Sequence, residues 1–191
     1  LVHGEINRAL APVFNERLAR IGAEIWDHLW PWSRSGFQRQ RALQAAGVAL
    51  ALAATLVWVL AAMGHGDELV VVDRNFPAQS VAMETQSGKL ITLGGMDAPT
   101  SIGGILELMP LDSFVDAPLA WMDPVDQPGA ILSVHADVLA ACNKAEGREV
   151  QHRVIERHQF YAAAKKCFAV VQNSENRPYG CFILKKGVVF D

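Results

Sequence analysis

Between Ala42 and Met63 the chain reads ALQAAGVALALAATLVWVLAAM, a stretch with no charged residue and with Gln44 and Thr55 as its polar side chains. A hydrocarbon layer about 30 Å thick is crossed by roughly 20 apolar residues rising 1.5 Å each. The run therefore predicts a single membrane-spanning helix over 42–63. The alternative is a buried core helix, but such helices are usually shorter and carry a polar stripe.

Charge divides around this run. The net charge of -3 gives no support to a nucleic-acid partner. Residues 1–41 hold six Arg against four acids, and the remainder holds eleven Lys and Arg against sixteen acids. Arg34, Arg39 and Arg41 crowd the N-terminal flank of the run, whereas Asp67, Glu68 and Asp73 follow it with only Arg74. The positive-inside rule then places residues 1–41 in the cytoplasm and 64–191 outside. The expected location is the inner, cytoplasmic membrane with a periplasmic C-terminal domain; an organelle membrane such as the mitochondrial inner membrane stays open. In 1–41, Ile6, Leu10, Val13, Phe14, Leu18, Ile21, Ile25 and Leu29 recur at helical spacing, predicting an amphipathic helix on the membrane surface or on a neighbouring subunit. Trp26, Trp30 and Trp32, with Arg39 and Arg41, are the expected membrane-interface residues.

Beyond the joint Gly64-His65-Gly66, short strands are expected at Glu68–Asp73, Gln79–Glu84 and Lys89–Leu93. The five prolines between Asp97 and Gly129 predict a long loop over 98–129, with at most one helical turn at Ile105–Met109. A helix is expected over Ala130–Ala145 and strands at Arg148–Glu156 and Ala163–Val171, the latter with a helical alternative. A closing helix is expected over Pro178–Lys186, with Gly187 at its end. Strands, helix, two strands and helix predict a small α+β outer domain built as an OB-like Greek-key barrel.

The segment KLITLGGMDAPT at Lys89–Thr100 resembles a motif of the staphylococcal-nuclease-like family. VVD at Val71–Asp73, GREVQHRVIER at Gly147–Arg157, KKCFAV at Lys165–Val170 and ILKKGVVFD at Ile183–Asp191 are similar to further segments of that family, in its order. The resemblance implies an OB-fold nuclease domain whose calcium-binding carboxylates, two Arg clamps and Glu base hydrolyse phosphodiesters. Here Thr92, Thr100 and Ala162 stand where the clamps and base would be, and Asn75 replaces one carboxylate. No catalytic residue is therefore assigned. Asp73 and Asp97 are weak metal candidates, and a turn-fixing role for Asp97 is preferred.

The six His are dispersed, with no metal-helix spacing, and His152 alternates with Val150 and Val154 as a partly buried side chain would. If the outer compartment is oxidising, Cys167 and Cys181 are the expected disulfide pair; three buried free thiols are the alternative. No cofactor is expected. These readings combine into a non-catalytic accessory or assembly subunit of a larger membrane protein complex, with the bilayer and other subunits as partners and no nucleic acid. The alternative is a membrane-anchored, calcium-dependent nuclease.

Overall fold

The computed structural model describes residues 36–189 of the 191. The expected amphipathic helix, together with Trp26, Trp30 and Trp32, lies outside the described residues. The chain divides into two units, Leu1–Ala54 and Thr55–Asp191. Of the first, the described part is helical and belongs to α1 (Gly36–Ala62); the side chains of Arg39 and Arg41 lie outside what is described.

The second unit carries the fold. Its centre is β1 (Glu68–Val72), a run of three valines and a leucine with every residue after Glu68 buried. Side chains alternate across a strand. Leu69 and Val71 face one apolar cluster, Val70 and Val72 the other. The first face is covered by the last turns of α1 (Val59 and Leu60), by Met63, by α3 (Ala98–Leu106) and by α4 (Ser133–Glu146). The second face is covered by α2 (Ala78–Ala82) and α5 (Arg157–Ala164), through Val81, Ala82, Phe160 and Ala164. Fully burying a Val or Leu side chain is worth about 1.5–3 kcal/mol, so a strand buried on both faces is a strong organising element.

The sheet has six strands in the order β2-β5-β1-β6-β3-β4. The remaining strands are β2 (Leu90–Leu93), β3 (Leu119–Met122), β4 (His152–Ile155), β5 (Ala169–Asn173) and β6 (Phe182–Lys185). β1 runs parallel to β5, as does β2, and β3 runs parallel to β4; β6 lies antiparallel between β1 and β3. In register, Leu69 stands beside both Ala169 and Leu184, and Trp121 beside Phe182.

Several expectations are corrected here. The domain is an open mixed sheet with helices on both faces, not an OB-like barrel. A barrel would have one face of each strand turned inward, whereas here both faces are sealed by helices. Gln79–Glu84 begins as helix α2 rather than a strand. The proline-rich 98–129 segment holds α3 and β3 rather than one long loop. Pro178–Lys186 is β6 and the turn before it, not a helix. Asp97 starts α3, its carboxylate accepting the Thr100 N–H at 2.9 Å, with Pro99 in the first turn; such a cap satisfies an otherwise orphaned donor. Gly147, at φ 64°, ends α4 in the left-handed conformation that suits glycine.

The expected membrane crossing at 42–63 is corrected as well. Among the described residues no helix is long and apolar enough to cross a membrane. The late part of the run is core instead: Val59, Leu60 and Met63 are buried, with Leu56 packed against them. The expected inner-membrane anchoring and periplasmic placement of 64–191 lose their basis with it.

Candidate functional site

The joint Gly64-His65-Gly66 places an imidazole beside a buried carboxylate. His65 lies just before β1, and its Nε2 stands 3.3 Å from Oδ1 of Asp112. The imidazole is half exposed, while the Asp112 side chain retains only 3% of its exposure. Burial works to raise the Asp112 pKa. The Phe114 N–H bond at 2.9 Å, His65 and Lys185 outweigh it and leave the carboxyl below its ordinary value. A buried, ionised carboxylate that takes the Nε2–H fixes the tautomer and leaves Nδ1 as a proton acceptor. The exposed Phe114 ring meets His65 edge-on at 5.7 Å between centroids.

Both partners are pinned by backbone. The Asp112 N–H donates to Lys185 O at 3.0 Å, and the Gly66 N–H to Lys186 O at 2.9 Å, so the last residue of β6 and the one after it each hold one side of the pair. From the end of α4, Glu146 Oε1 accepts the Leu111 N–H at 2.8 Å and Arg148 Nη2 donates to Leu111 O and Asp112 O.

A second polar cluster lies at the carboxyl ends of β1, β5 and β2, the edge where open parallel sheets commonly hold ligands. Asp73 is buried there, Oδ1 accepting the Asn75 N–H at 2.9 Å and Oδ2 the Cys181 thiol at 3.5 Å. Glu175 is buried beside it and pairs with Arg177, which also reaches Asp137. The hydrogen bond from Arg177, opposed by burial, leaves the Glu175 pKa at about 2. Asn173 Nδ2 is buried without a partner. Tyr179 takes a positive φ of 60°, rare outside glycine. Its carbonyl accepts from His135 Nε2 at 3.1 Å, and its hydroxyl accepts the Val125 N–H at 3.1 Å.

The sequence candidates resolve differently. Asp73 ends β1 and Asp97 caps α3; among the described residues no group of three or more His, Cys, Asp or Glu side chains could hold a metal ion. Cys167 and Cys181 are free buried thiols, as is Cys142, and each of the first two has its own acceptor: Ala163 O for Cys167 and Asp73 for Cys181. His152 stacks on Trp121 at 3.9 Å between centroids, with His135 on Trp121 at 4.9 Å. The pair that sequence reasoning missed is His65 and Asp112. The signal for it was Gly-His-Gly-Asp set directly before a buried strand, where a polar side chain has a rigid mount.

Comparison with known proteins decides the family. The model of the RbsD / FucU transport protein family matches residues 47–189. The chain belongs to that family. The L-fucose mutarotase of Actinobacillus pleuropneumoniae is 42% identical over 144 residues, covering 74% of this chain and 95% of that protein. The human fucose mutarotase is 39% identical over 152 residues, covering 75% and 93%. The crystal structure of the fucose mutarotase from Streptococcus pneumoniae in complex with L-fucose superposes with a TM-score of 0.63 at 34% identity, covering 71% of this chain and 93% of that one.

Membership in the RbsD / FucU family overturns the staphylococcal-nuclease-like resemblance. KLITLGGMDAPT is β2, a turn and the capped start of α3 in an open mixed sheet. The readings built on that resemblance, an accessory subunit of a membrane complex and a tethered nuclease, fall with it. So do the expected partners, other membrane subunits and the bilayer. The family match opens at residue 47, inside the apolar run, which makes the later part of that run the leading helix of the RbsD / FucU domain.

Proposed function

We propose that the domain is a sugar mutarotase that interconverts the α and β anomers of L-fucose, with His65 as the proton-transfer group and Asp112 as its orienting partner. One observation carries the assignment of residues: a half-exposed imidazole held 3.3 Å from a buried carboxylate. Mutarotation needs a base to take the anomeric hydroxyl proton while the bond from C1 to the ring oxygen breaks. It also needs an acid to protonate that oxygen. The open aldehyde turns about its C1–C2 bond and recloses on the other face, with no net gain or loss of protons. An imidazole that accepts at Nδ1 and then returns the proton supplies both steps, and no metal or redox group is required. Phe114 offers an apolar face beside the imidazole, suited to the methyl and C–H surface of a 6-deoxy sugar. The names and identities of the relatives support the substrate class.

The test is anomer exchange of L-fucose followed by NMR. Removing a general acid–base is expected to lower the catalysed rate by about 10²–10⁴, so His65→Asn should lose nearly all activity and Asp112→Asn a large part of it. An undiminished rate in His65→Asn refutes the assignment. The second reading places the chemistry at the Asp73 edge, favoured by the positive φ of Tyr179 and the unpartnered Asn173 amide. Loss of activity in Asp73→Asn with full activity in Asp112→Asn would select it.

A further inference from the structure

The residue that follows β6 does more for the His65–Asp112 pair than extend the sheet. Lys186 lies against the chain on both sides of His65. Its Nζ donates at 2.6 Å to Leu60 O, in the last turn of α1 where carbonyls lack an intrahelical donor, and at 2.6 Å to Met63 O just past the helix. Its backbone carbonyl accepts the Gly66 N–H at 2.9 Å, and its own N–H donates to Asp67 O at 2.8 Å. Contacts at 60, 63, 66 and 67 thus bracket His65 from one residue. Burial pulls the Lys186 ammonium pKa down and Asp67 opposes this. The carbonyl bonds offset part of that desolvation, because a charged donor makes hydrogen bonds roughly twice as strong as a neutral one.

We propose that Lys186 is a positioning residue for the mutarotase reaction, its ammonium tying the end of α1 to β6 so that the His65 imidazole stands at Asp112. The proposal rests on the assignment of His65 to proton transfer. The backbone bonds of residue 186 survive any side-chain change, so what the ammonium adds is the angle at which the chain enters the joint. An exposed lysine would leave that angle to the flexible glycines Gly64 and Gly66. Misplacement of about 1 Å can cost on the order of 10²-fold in rate. The effect should therefore appear in turnover, not in substrate affinity.

The experiment uses the full chain with Lys186→Met, which keeps the stem and removes the donors, and Lys186→Arg, which restores donors. Lys186→Met is expected to lower kcat for L-fucose by roughly 10- to 100-fold with KM changed less than about twofold, and Lys186→Arg to recover part of the loss. In a His65→Asn background, Lys186→Met should cause no further loss. An equal loss in that background, or an unchanged kcat in Lys186→Met, overturns the proposal. Imidazole nitrogen shifts of His65 give a readout independent of activity. They should change in Lys186→Met, and unchanged shifts in a folded variant overturn positioning. If His65→Asn keeps full activity, the catalytic assignment fails, while the shifts still decide whether Lys186 sets the imidazole. Where Lys186→Met does not fold, the same shifts and rates in Lys186→Arg decide.

Discussion

Replacing Gly187 by alanine should damage activity more than its size suggests. Gly187 follows β6, and its N–H donates to Pro110 O at 2.8 Å. A Cβ added there would stand 2.6 Å from Leu111 O, 2.8 Å from Leu111 C and 3.0 Å from Asp112 Cα. Ordinary contacts begin at 3.4 Å, so the nearest atom is about 0.8 Å too close. All three atoms are backbone and cannot swing aside. The strain must move the end of β6, the Leu111–Asp112 segment, or both, and either carries one side of the His65–Asp112 pair. Overpacking of this kind costs about 1–3 kcal/mol. At roughly 2–4 °C per kcal/mol for a chain of this length, Tm should fall by about 2–12 °C. A shift of Asp112 approaching 1 Å should lower the rate by up to about 10²-fold. Anomer exchange of L-fucose by NMR and thermal unfolding measure the two effects. Gly104→Ala is the control, since a Cβ on that helical glycine meets nothing within 4 Å. Wild-type rate and Tm in Gly187→Ala would refute the reasoning.

Asp97→Ala removes the cap of α3 and should cost about 0.5–2 kcal/mol without changing the rate of anomer exchange; a lost rate with unchanged stability would contradict the capping role. Stability should decline as pH falls. Burial holds His135 and His152 below the ordinary 6.5 in the folded state, so the unfolded chain binds protons first, and this contribution, complete above about 6.5, is lost below it. Glu175, held at about 2 by Arg177 against an ordinary 4.5, adds a second loss below about 4.5. Urea midpoints at pH 7, 6 and 5 check the first window, and a flat series would rule it out. Thiol counting of denatured, unreduced protein should find three free thiols. In the native state they should react slowly, since burial pushes Cys142 up to about 12 and raises Cys167 and Cys181; two missing thiols would restore the Cys167–Cys181 bond.

Local chemistry made several individual elements legible, but not the fold class. ELVVV, LITL and the alternating HRVI segment read as strands and are β1, β2 and β4. The helix expected over 130–145 is α4 at Ser133–Glu146. The errors share a cause. Uninterrupted apolar runs such as VVV in β1 and FIL in β6 are what strands buried on both faces require, yet FILKK placed between a proline and a glycine also satisfies helix punctuation. The run at 42–63 has the length and apolarity of a crossing, and nothing local distinguishes a lipid-facing turn from one that joins the buried cluster of Ile102, Val138 and Leu184.

The sequence by itself determined the apolar patterning, the valine strand and the helix that follows residue 130, because each depends on contacts within a few residues. The tertiary structure alone decided that the end of α1 belongs to the core, that helices cover both faces of an open sheet, and that His65 meets Asp112. Residues 65 and 112 have no local relation. They come together because β6 returns antiparallel beside β1 and receives the Leu111–Asp112 segment at its end, and only that return path sets a buried carboxylate beside an exposed imidazole.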